Sequence, residues 1–372
     1  MGSMKKRRLL VFCAAVLLCL TTAPAASNAA GCSAAPQAAG AAAVPMRRWL
    51  LPAAALAALA ATGWVVWSKT TVLQEALIRL ICLGSAGGKP PDYGAVLEAV
   101  ETLGTDVSYE SRFQSGTMDL YAKRSDVPQP LLVYAHGGYY VGGDKRGFAC
   151  YCRKLASFGY VVASVNYALA PEGRYPTQIL QINEAVSFLL ARADRYDVDP
   201  SRVFIAGDSA GGHLASQMGL YYTNAAFRAA IGGAPALEGD RLRGVILLCG
   251  YYRMDTLRAT KFPLIVDAVW MLTGEKRFEG TAVAARMDTA AQLTEDYPAV
   301  FLTCGDQDPF ITQAREMLDA LRLKGVDTTA HLPVSGRTRL KHEYQADLRT
   351  AEGRTAMEET ARFLQLHCAR RT

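Results

Sequence analysis

The chain has few charged residues and few histidines for its length. Of 372 residues, 20% are charged, 51% are hydrophobic and only five are histidine. A chain of this size and composition can bury a large core, which excludes an unfolded tail. Residues 1–69 contain no Asp or Glu, and their seven Lys and Arg residues more than account for the formal net charge of +6. The rest of the chain is nearly neutral, so no nucleic-acid-binding surface is expected.

Paired cysteine motifs are absent as well. The nine cysteines are odd in number, lie mostly in apolar contexts and form no C-x-x-C pair. This pattern favours free thiols over a disulfide framework or a structural zinc site. No bound metal is therefore predicted.

Two apolar segments open the chain. Residues 1–30 combine a basic start, a short apolar run and small residues, which predicts a signal-peptide-like leader, with an uncleaved membrane segment as the alternative. The uncharged run from Trp49 to Trp67 has basic flanks, so residues 46–69 predict a membrane anchor helix, the alternative being an amphiphilic docking helix. Arg47 and Arg48 favour an extracytoplasmic catalytic domain, whereas a working signal peptide would make the same segment a stop-transfer helix.

Beyond the anchor, strands and helices alternate. Residues 70–100 predict a helical cap segment, and residues 101–372 predict one catalytic domain. Its strands are expected near 105–110, 117–122, 131–136, 160–167, 202–207, 243–250, 299–305 and 327–333. Such alternation is typical of an α/β fold with a mainly parallel sheet of about eight strands covered by helices on both faces. Functional residues gather at the carboxyl ends of the strands in these sheets.

The stretch "IAGDSAGGHL" places Ser209 between Gly207 and Gly211 where an apolar strand passes into a helix. This is the G-x-S-x-G pattern of a nucleophilic serine, although a serine that only caps a helix N-terminus fits the same pattern. Upstream, "YAHGGYY" follows another strand, and the N–H groups of Gly137 and Gly138, with that of Ala210, are predicted to form an oxyanion hole. His136 is expected to be structural.

Three stretches together resemble a known family. "HGGY" (136–139), "NYALAPEGRYPTQI" (166–179) and "DPSRVFIAGDSAGGHLA" (199–215) are similar to the hormone-sensitive-lipase-like branch of the α/β-hydrolase esterases. The resemblance covers about residues 95–372. It implies an eight-stranded sheet, a triad in the chain order Ser, Asp, His, and hydrolysis of carboxylic esters without a cofactor.

The acid and the base of that triad can be assigned by position. In "LTCGDQDPFI", Asp308 matches the family's D-P pair, and Asp306 is the second candidate for the acid. The alternative is that Asp308 only caps the N-terminus of the following helix. His342 in "LKHEYQ" resembles the family's H-x-F/Y signature, and the minor alternatives are His331 as base or a solvent-exposed His342. The remaining histidines precede the serine or fall in predicted helices: His136, His213 and His367.

The sequence departs from the family at the third glycine of HGGG, where it has Tyr139. We expect the ring of Tyr139 to contact the substrate. Residues 221–240 and 251–296, with 70–100, form either a lid or packing helices. The predicted protein is a membrane-anchored serine carboxylesterase acting on small-molecule acyl esters. An arylformamidase-like amidase and a non-catalytic binding protein are the alternatives, and acyl chain length and oligomeric state stay open.

Overall fold

The computed structural model describes residues 47–84, 87–334 and 339–369, with side chains from residue 55 onward. The leader predicted for residues 1–30 lies outside the described residues. The chain divides into two units between Leu59 and Ala60, and the second unit holds the sheet and every residue discussed below as part of a site.

An eight-stranded sheet organises the second unit, in the order β1-β2-β4-β3-β5-β6-β7-β8. The β1–β2 and β2–β4 pairs are antiparallel, and all other neighbouring pairs are parallel. The predicted mainly parallel α/β sheet is confirmed. The strands are β1 Val100–Ser108, β2 Thr117–Lys123, β3 Gln129–Ala135, β4 Val161–Val165, β5 Val198–Asp208, β6 Leu242–Leu248, β7 Val300–Thr303 and β8 Thr328–His331.

The described helices connect these strands and cover the sheet. They are α1 Arg47–Lys69, α2 Val72–Cys82, α3 Tyr93–Ala99, α4 Ala149–Ala156, α5 Thr177–Leu190, α6 Ala210–Thr223, α7 Ala225–Ile231, α8 Ile265–Thr273, α9 Ala282–Met287, α10 Ile311–Leu323 and α11 Ala351–Cys368. The predicted helical segment 70–100 is thus two helices, α2 and α3. Its end at Val100 already belongs to β1, because that residue pairs with Lys123 of β2.

The centre of the sheet is buried on both faces. Every residue of β3 and β4 is buried, and both strands consist largely of Val, Leu and Ala. Burying a Val or Leu side chain contributes roughly 1.5–3 kcal/mol, so these continuous apolar runs stabilise the sheet from inside. The carboxyl edge of this buried sheet carries the loops after β3, β5, β7 and β8.

The N-terminal helices have a different character. In α1, Trp64 and Val65 are exposed, as are Leu80 and Ile81 in α2. Among the residues that the structure describes, no single helix is long and apolar enough to cross a membrane. The segments Ala55–Lys69 and Val72–Cys82, bent by 78°, satisfy that test together.

Candidate active site

Ser209 stands at the turn between β5 and α6. Its backbone angles, φ 51° and ψ −115°, are unusual for a residue with a side chain, and such strain is common at functional turns. The residues two positions before and after Ser209 must both be glycine. A Cβ at Gly207 would lie 2.2 Å from the carbonyl oxygen of Gly211, and a Cβ at Gly211 would lie 2.0 Å from the carbonyl oxygen of Ala135. The two glycines of the motif therefore permit the sharp turn that presents the serine.

A hydrogen-bonded relay joins the serine to the predicted acid and base. The Ser209 Oγ lies 2.9 Å from His342 Nε2, and His342 Nδ1 lies 2.8 Å from Asp308 Oδ2. Because the carboxylate can only accept, Nδ1 carries the hydrogen and Nε2 is left to accept from the serine hydroxyl. Asp308 is buried, and its Oδ1 accepts the N–H of Phe310. The structure thus brings together Ser209, His342 and Asp308, hydrogen-bonded in series as the nucleophile, the base and the acid.

The electrostatics of His342 are set by opposing effects. Burial lowers the pKa of His342, but the hydrogen bond and charge of Asp308, with a further contribution from Glu343, raise it more. The net pKa of His342 therefore lies above its usual value. A base of this kind is stabilised in its protonated form, which is the form that arises when it removes a proton from Ser209.

The oxyanion prediction needs one correction. The N–H of Gly137 is not free, because it donates to Asp208 Oδ2 at 3.0 Å. Within the described residues, the N–H groups of Gly138, Tyr139 and Ala210 have no hydrogen-bond acceptor. Tyr139 adopts φ 60°, which lets it follow Gly138 through the turn. The prediction is wrong for Gly137 as a free donor, and the available set is Gly138, Tyr139 and Ala210.

The other histidines have structural partners. His136 Nδ1 lies 2.6 Å from the carbonyl oxygen of Gly137, and the ring stacks on Tyr167. His213 is fully buried between the Tyr140 hydroxyl and the Met287 carbonyl, and burial lowers its pKa to about 4.

The two alternative site residues have other environments. His331 forms the end of β8, and its carbonyl oxygen accepts from the Thr303 hydroxyl. Asp306 accepts the N–H of Leu340 and so stabilises the loop that leads to His342. The Ser209 hydroxyl instead lies 2.9 Å from His342 Nε2.

A thiol also lies beside the relay. Cys249 Sγ and one ligand atom each from Asp308 and His342 lie within 4.8 Å of one another, close enough to hold a single metal ion. However, burial raises the pKa of the Cys249 thiol, which keeps it protonated and able to donate to Gln345 Oε1 at 3.0 Å. Asp308 and His342 are already bonded to each other, so this donor set fits a metal ion poorly.

A cavity of about 140 Å³ opens at Ser209. The Tyr139 ring packs 5.3 Å from that of Phe262, and Phe262 in turn lies 4.7 Å from the His342 ring. A larger cavity of about 570 Å³ adjoins it. Both cavities share four lining residues: Cys82, Gly143, Asp144 and Gly147.

Several residues of the site could not be selected from the sequence. Helix α2 reaches the glycine-rich loop, where Arg79 donates to the Val141 carbonyl at 3.2 Å and Cys82 approaches Gly142. Phe262 enters from residues 251–296, whereas residues 221–240 contribute no side chain to the described wall. Glu343 follows His342 directly and lines the same cavity. The sequence shows that Glu343 follows His342, but it does not show which way the Glu343 side chain points.

Comparison with known proteins fits this architecture. Residues 118–321 match the family model described as BD-FAE. The chain belongs to the BD-FAE family. It is 27% identical over 222 residues to esterase LipC of Mycobacterium tuberculosis, covering 58% of this chain and 54% of LipC. It is 26% identical over 227 residues to the probable carboxylic ester hydrolase LipM of the same organism, covering 58% of this chain and 51% of LipM.

This BD-FAE chain thus spans about half the length of the curated relatives it matches. Among solved structures, esterase B from Lactobacillus rhamnosis is similar with a TM-score of 0.66 and 24% sequence identity. That match covers 85% of this chain and 96% of the other. The predicted resemblance to α/β-hydrolase esterases is confirmed for family and fold.

Proposed function

We propose that the protein is a carboxylic ester hydrolase that uses Ser209, His342 and Asp308 to form an acyl-enzyme. The observation that carries this proposal is the relay of 2.9 and 2.8 Å from Ser209 through His342 to Asp308. A serine hydroxyl is a weak nucleophile, and an adjacent base oriented by a carboxylate overcomes that weakness. The esterase names of the curated relatives support the same reaction class.

In the first half of the reaction, Ser209 Oγ attacks the ester carbonyl carbon while its proton passes to His342 Nε2. The negative oxygen that develops is stabilised by the N–H groups of Gly138, Tyr139 and Ala210, which have no other acceptor in the described part of the chain. The carbon–oxygen bond to the alcohol then breaks, and Nε2 returns the proton to the departing oxygen.

In the second half, water adds to the acyl-enzyme carbonyl and gives its proton to His342 Nε2. The bond to Oγ breaks, and the proton returns to Ser209. The net reaction consumes one ester and one water and releases one acid and one alcohol. The cavity of about 140 Å³ at Ser209 favours small esters, and Tyr139 and Phe262 form an apolar part of its wall.

Replacement of Ser209 by Ala tests this mechanism. We expect hydrolysis of p-nitrophenyl acetate to fall to the uncatalysed rate and labelling by a fluorophosphonate probe to disappear, because the nucleophile is gone. Ser187→Ala, which changes an exposed serine of α5, serves as the control and should retain both. Turnover or labelling that survives in Ser209→Ala, with an unchanged circular dichroism spectrum, would contradict the assignment.

We also propose that residues 46–69 attach the protein to a membrane and that the catalytic domain is extracytoplasmic. Support comes from the uncharged run Trp49–Trp67, its basic flanks and the exposed Trp64 and Val65. Full-length protein should stay in the membrane fraction after a carbonate wash, and a chain beginning at residue 70 should be released. Protease accessibility in sealed vesicles tests the side, since an extracytoplasmic domain is digested from that face alone.

A further inference from the structure

Glu343 places a carboxylate at the point where a leaving group departs. Its Oε1 lies 3.7 Å from His342 Nε2, the atom that returns a proton to the leaving oxygen in the proposed mechanism. Glu343 adopts φ 60°, and its side chain faces the cavity at Ser209. A carboxyl group this close to Nε2 is within reach of a group attached a few bonds from the alcohol oxygen.

A second carboxyl group, that of Asp208, lies beside Glu343. Asp208 is fully buried and accepts from the Tyr134 hydroxyl at 2.7 Å and the Gly137 N–H at 3.0 Å. Its Oδ2 and Glu343 Oε1 both lie beside Gly137, at 2.2 and 3.1 Å from where a Cβ on that residue would stand. A neighbouring carboxylate disfavours ionisation of a buried carboxyl group. Burial, followed by the charge of Glu343, raises the pKa of Asp208 well above its usual range. The raised pKa favours the protonated form of Asp208, which does not line the cavity, whereas the Glu343 side chain does.

The rest of the wall does not neutralise this charge. Asp144 adds a second carboxylate, and no Lys or Arg side chain lines the cavity among the described residues. Lys145 points away, with its Nζ 2.6 Å from Asp106 and 3.0 Å from Asp119. Arg146 pairs with Asp106 at 2.8 Å and approaches Asp144 only to 4.0 Å.

Aromatic rings complete the surroundings. Tyr139, Phe148 and Phe262 line the cavity, with Tyr139 and Phe262 packed against each other. Aromatic faces attract organic cations, most strongly where water is excluded, and a nearby carboxylate adds to that attraction. Esters with an anionic leaving group would instead meet two carboxylates.

We propose that this cavity selects esters whose leaving alcohol carries a positively charged nitrogen a few bonds from the ester oxygen, with Glu343 as the residue that binds the cation. The proposal rests on the proposed function and specifies its substrate class. It also assigns a role to the residue that directly follows the base.

The test compares acetylthiocholine with 3,3-dimethylbutyl thioacetate, in which carbon replaces the charged nitrogen at nearly the same shape. For the full-length protein we expect kcat/KM to favour the cationic ester about tenfold, the order expected for one partly solvated charge pair about 5 Å apart. In Glu343→Gln, which keeps the size and the hydrogen bonding of the side chain, the ratio should approach one. Glu172→Gln removes an acid from the adjoining cavity and should keep the wild-type ratio.

Equal kcat/KM values for the two thioesters in the wild type, or a cationic preference that Glu343→Gln leaves intact, would overturn the inference. If either ester is hydrolysed and Ser209→Ala abolishes that activity, the proposed function stands regardless of the ratio. If Ser209→Ala retains activity, the proposed function itself fails. Should both esters react slowly, the inactivation rates of Ser209 by a cationic organophosphate and its neutral isostere give the same ratio without turnover.

Discussion

Replacing Asp308 with Asn changes the relay while leaving its surroundings almost intact. The Asn Oδ1 can still accept the N–H of Phe310, which Asp308 accepts at 2.8 Å. The amide nitrogen, however, then faces His342 Nδ1 with two hydrogens. The ring must accept at Nδ1 and carry its own hydrogen on Nε2, which points at Ser209 Oγ 2.9 Å away. A nitrogen that already bears a hydrogen cannot take the serine proton.

The expected loss in kcat is about 10⁴-fold, the order found when the acid of a serine triad is changed to an amide. Loss of a charged hydrogen bond should also cost about 1.5–3 kcal/mol of unfolding free energy. Because Asp308 raises the pKa of His342, its removal lowers that pKa. The base then stays unprotonated to lower pH, so the acidic limb of the residual kcat/KM profile should move down in pH.

Initial rates of p-nitrophenyl ester hydrolysis across pH measure the chemical effect, and urea denaturation measures stability. Asp306→Asn is the matched control, since its side chain accepts the N–H of Leu340 and Asn can do the same. It should keep most of the activity. A rate for Asp308→Asn within tenfold of wild type, or an equal loss in both variants, would refute the reasoning.

Two more outcomes follow from backbone and burial. Gly138 has φ 114°, and a Cβ there would lie 2.4 Å from the Gly142 carbonyl oxygen, so Gly138→Ala should displace an oxyanion donor and lower kcat about 10²–10³-fold. Gly159→Ala, with φ 92° and open space around it, imposes a similar strain away from the site and should leave kcat unchanged in the same assay. Burial lowers the pKa of His213 to about 4, so its neutral form stabilises the fold above pH 6.5. As pH falls from 6.5 to 4, unfolding free energy should drop by about 3 kcal/mol through this residue, and urea titrations of His213→Gln should lack that part of the slope.

The strand pattern and the triad could be predicted from the sequence for the same physical reason. Parallel strands bring their carboxyl ends to one edge, so a serine after β5, an acid after β7 and a histidine after β8 must be neighbours. Only five histidines were available, and of the two that follow the last strand, His342 lies in the loop and His367 in the terminal helix. Residue spacing could not show where β1 begins, because its start at Val100 depends on pairing with Lys123 across the sheet.

The partners of individual backbone groups were not predictable from the sequence. Gly137 and Gly138 are the same residue type, yet the N–H of Gly137 donates to Asp208, whereas the N–H of Gly138 has no acceptor in the described chain. The difference arises from a side chain 71 residues away in sequence. The proximity of Glu343 to buried Asp208 has the same origin, since the fold brings together two residues that are far apart in sequence.

Tyr139 shows how the family pattern can change at the third glycine without loss of the proposed mechanism. The oxyanion is stabilised by a backbone N–H, so the side chain matters only if it prevents the required backbone conformation. Tyr139 reaches φ 60°, a conformation that costs a non-glycine residue about 1–3 kcal/mol. Packing of its ring against Phe262 offsets part of that cost and closes the cavity beside Ser209. One residue thus combines a donor that any amino acid except proline could supply with a wall that glycine could not.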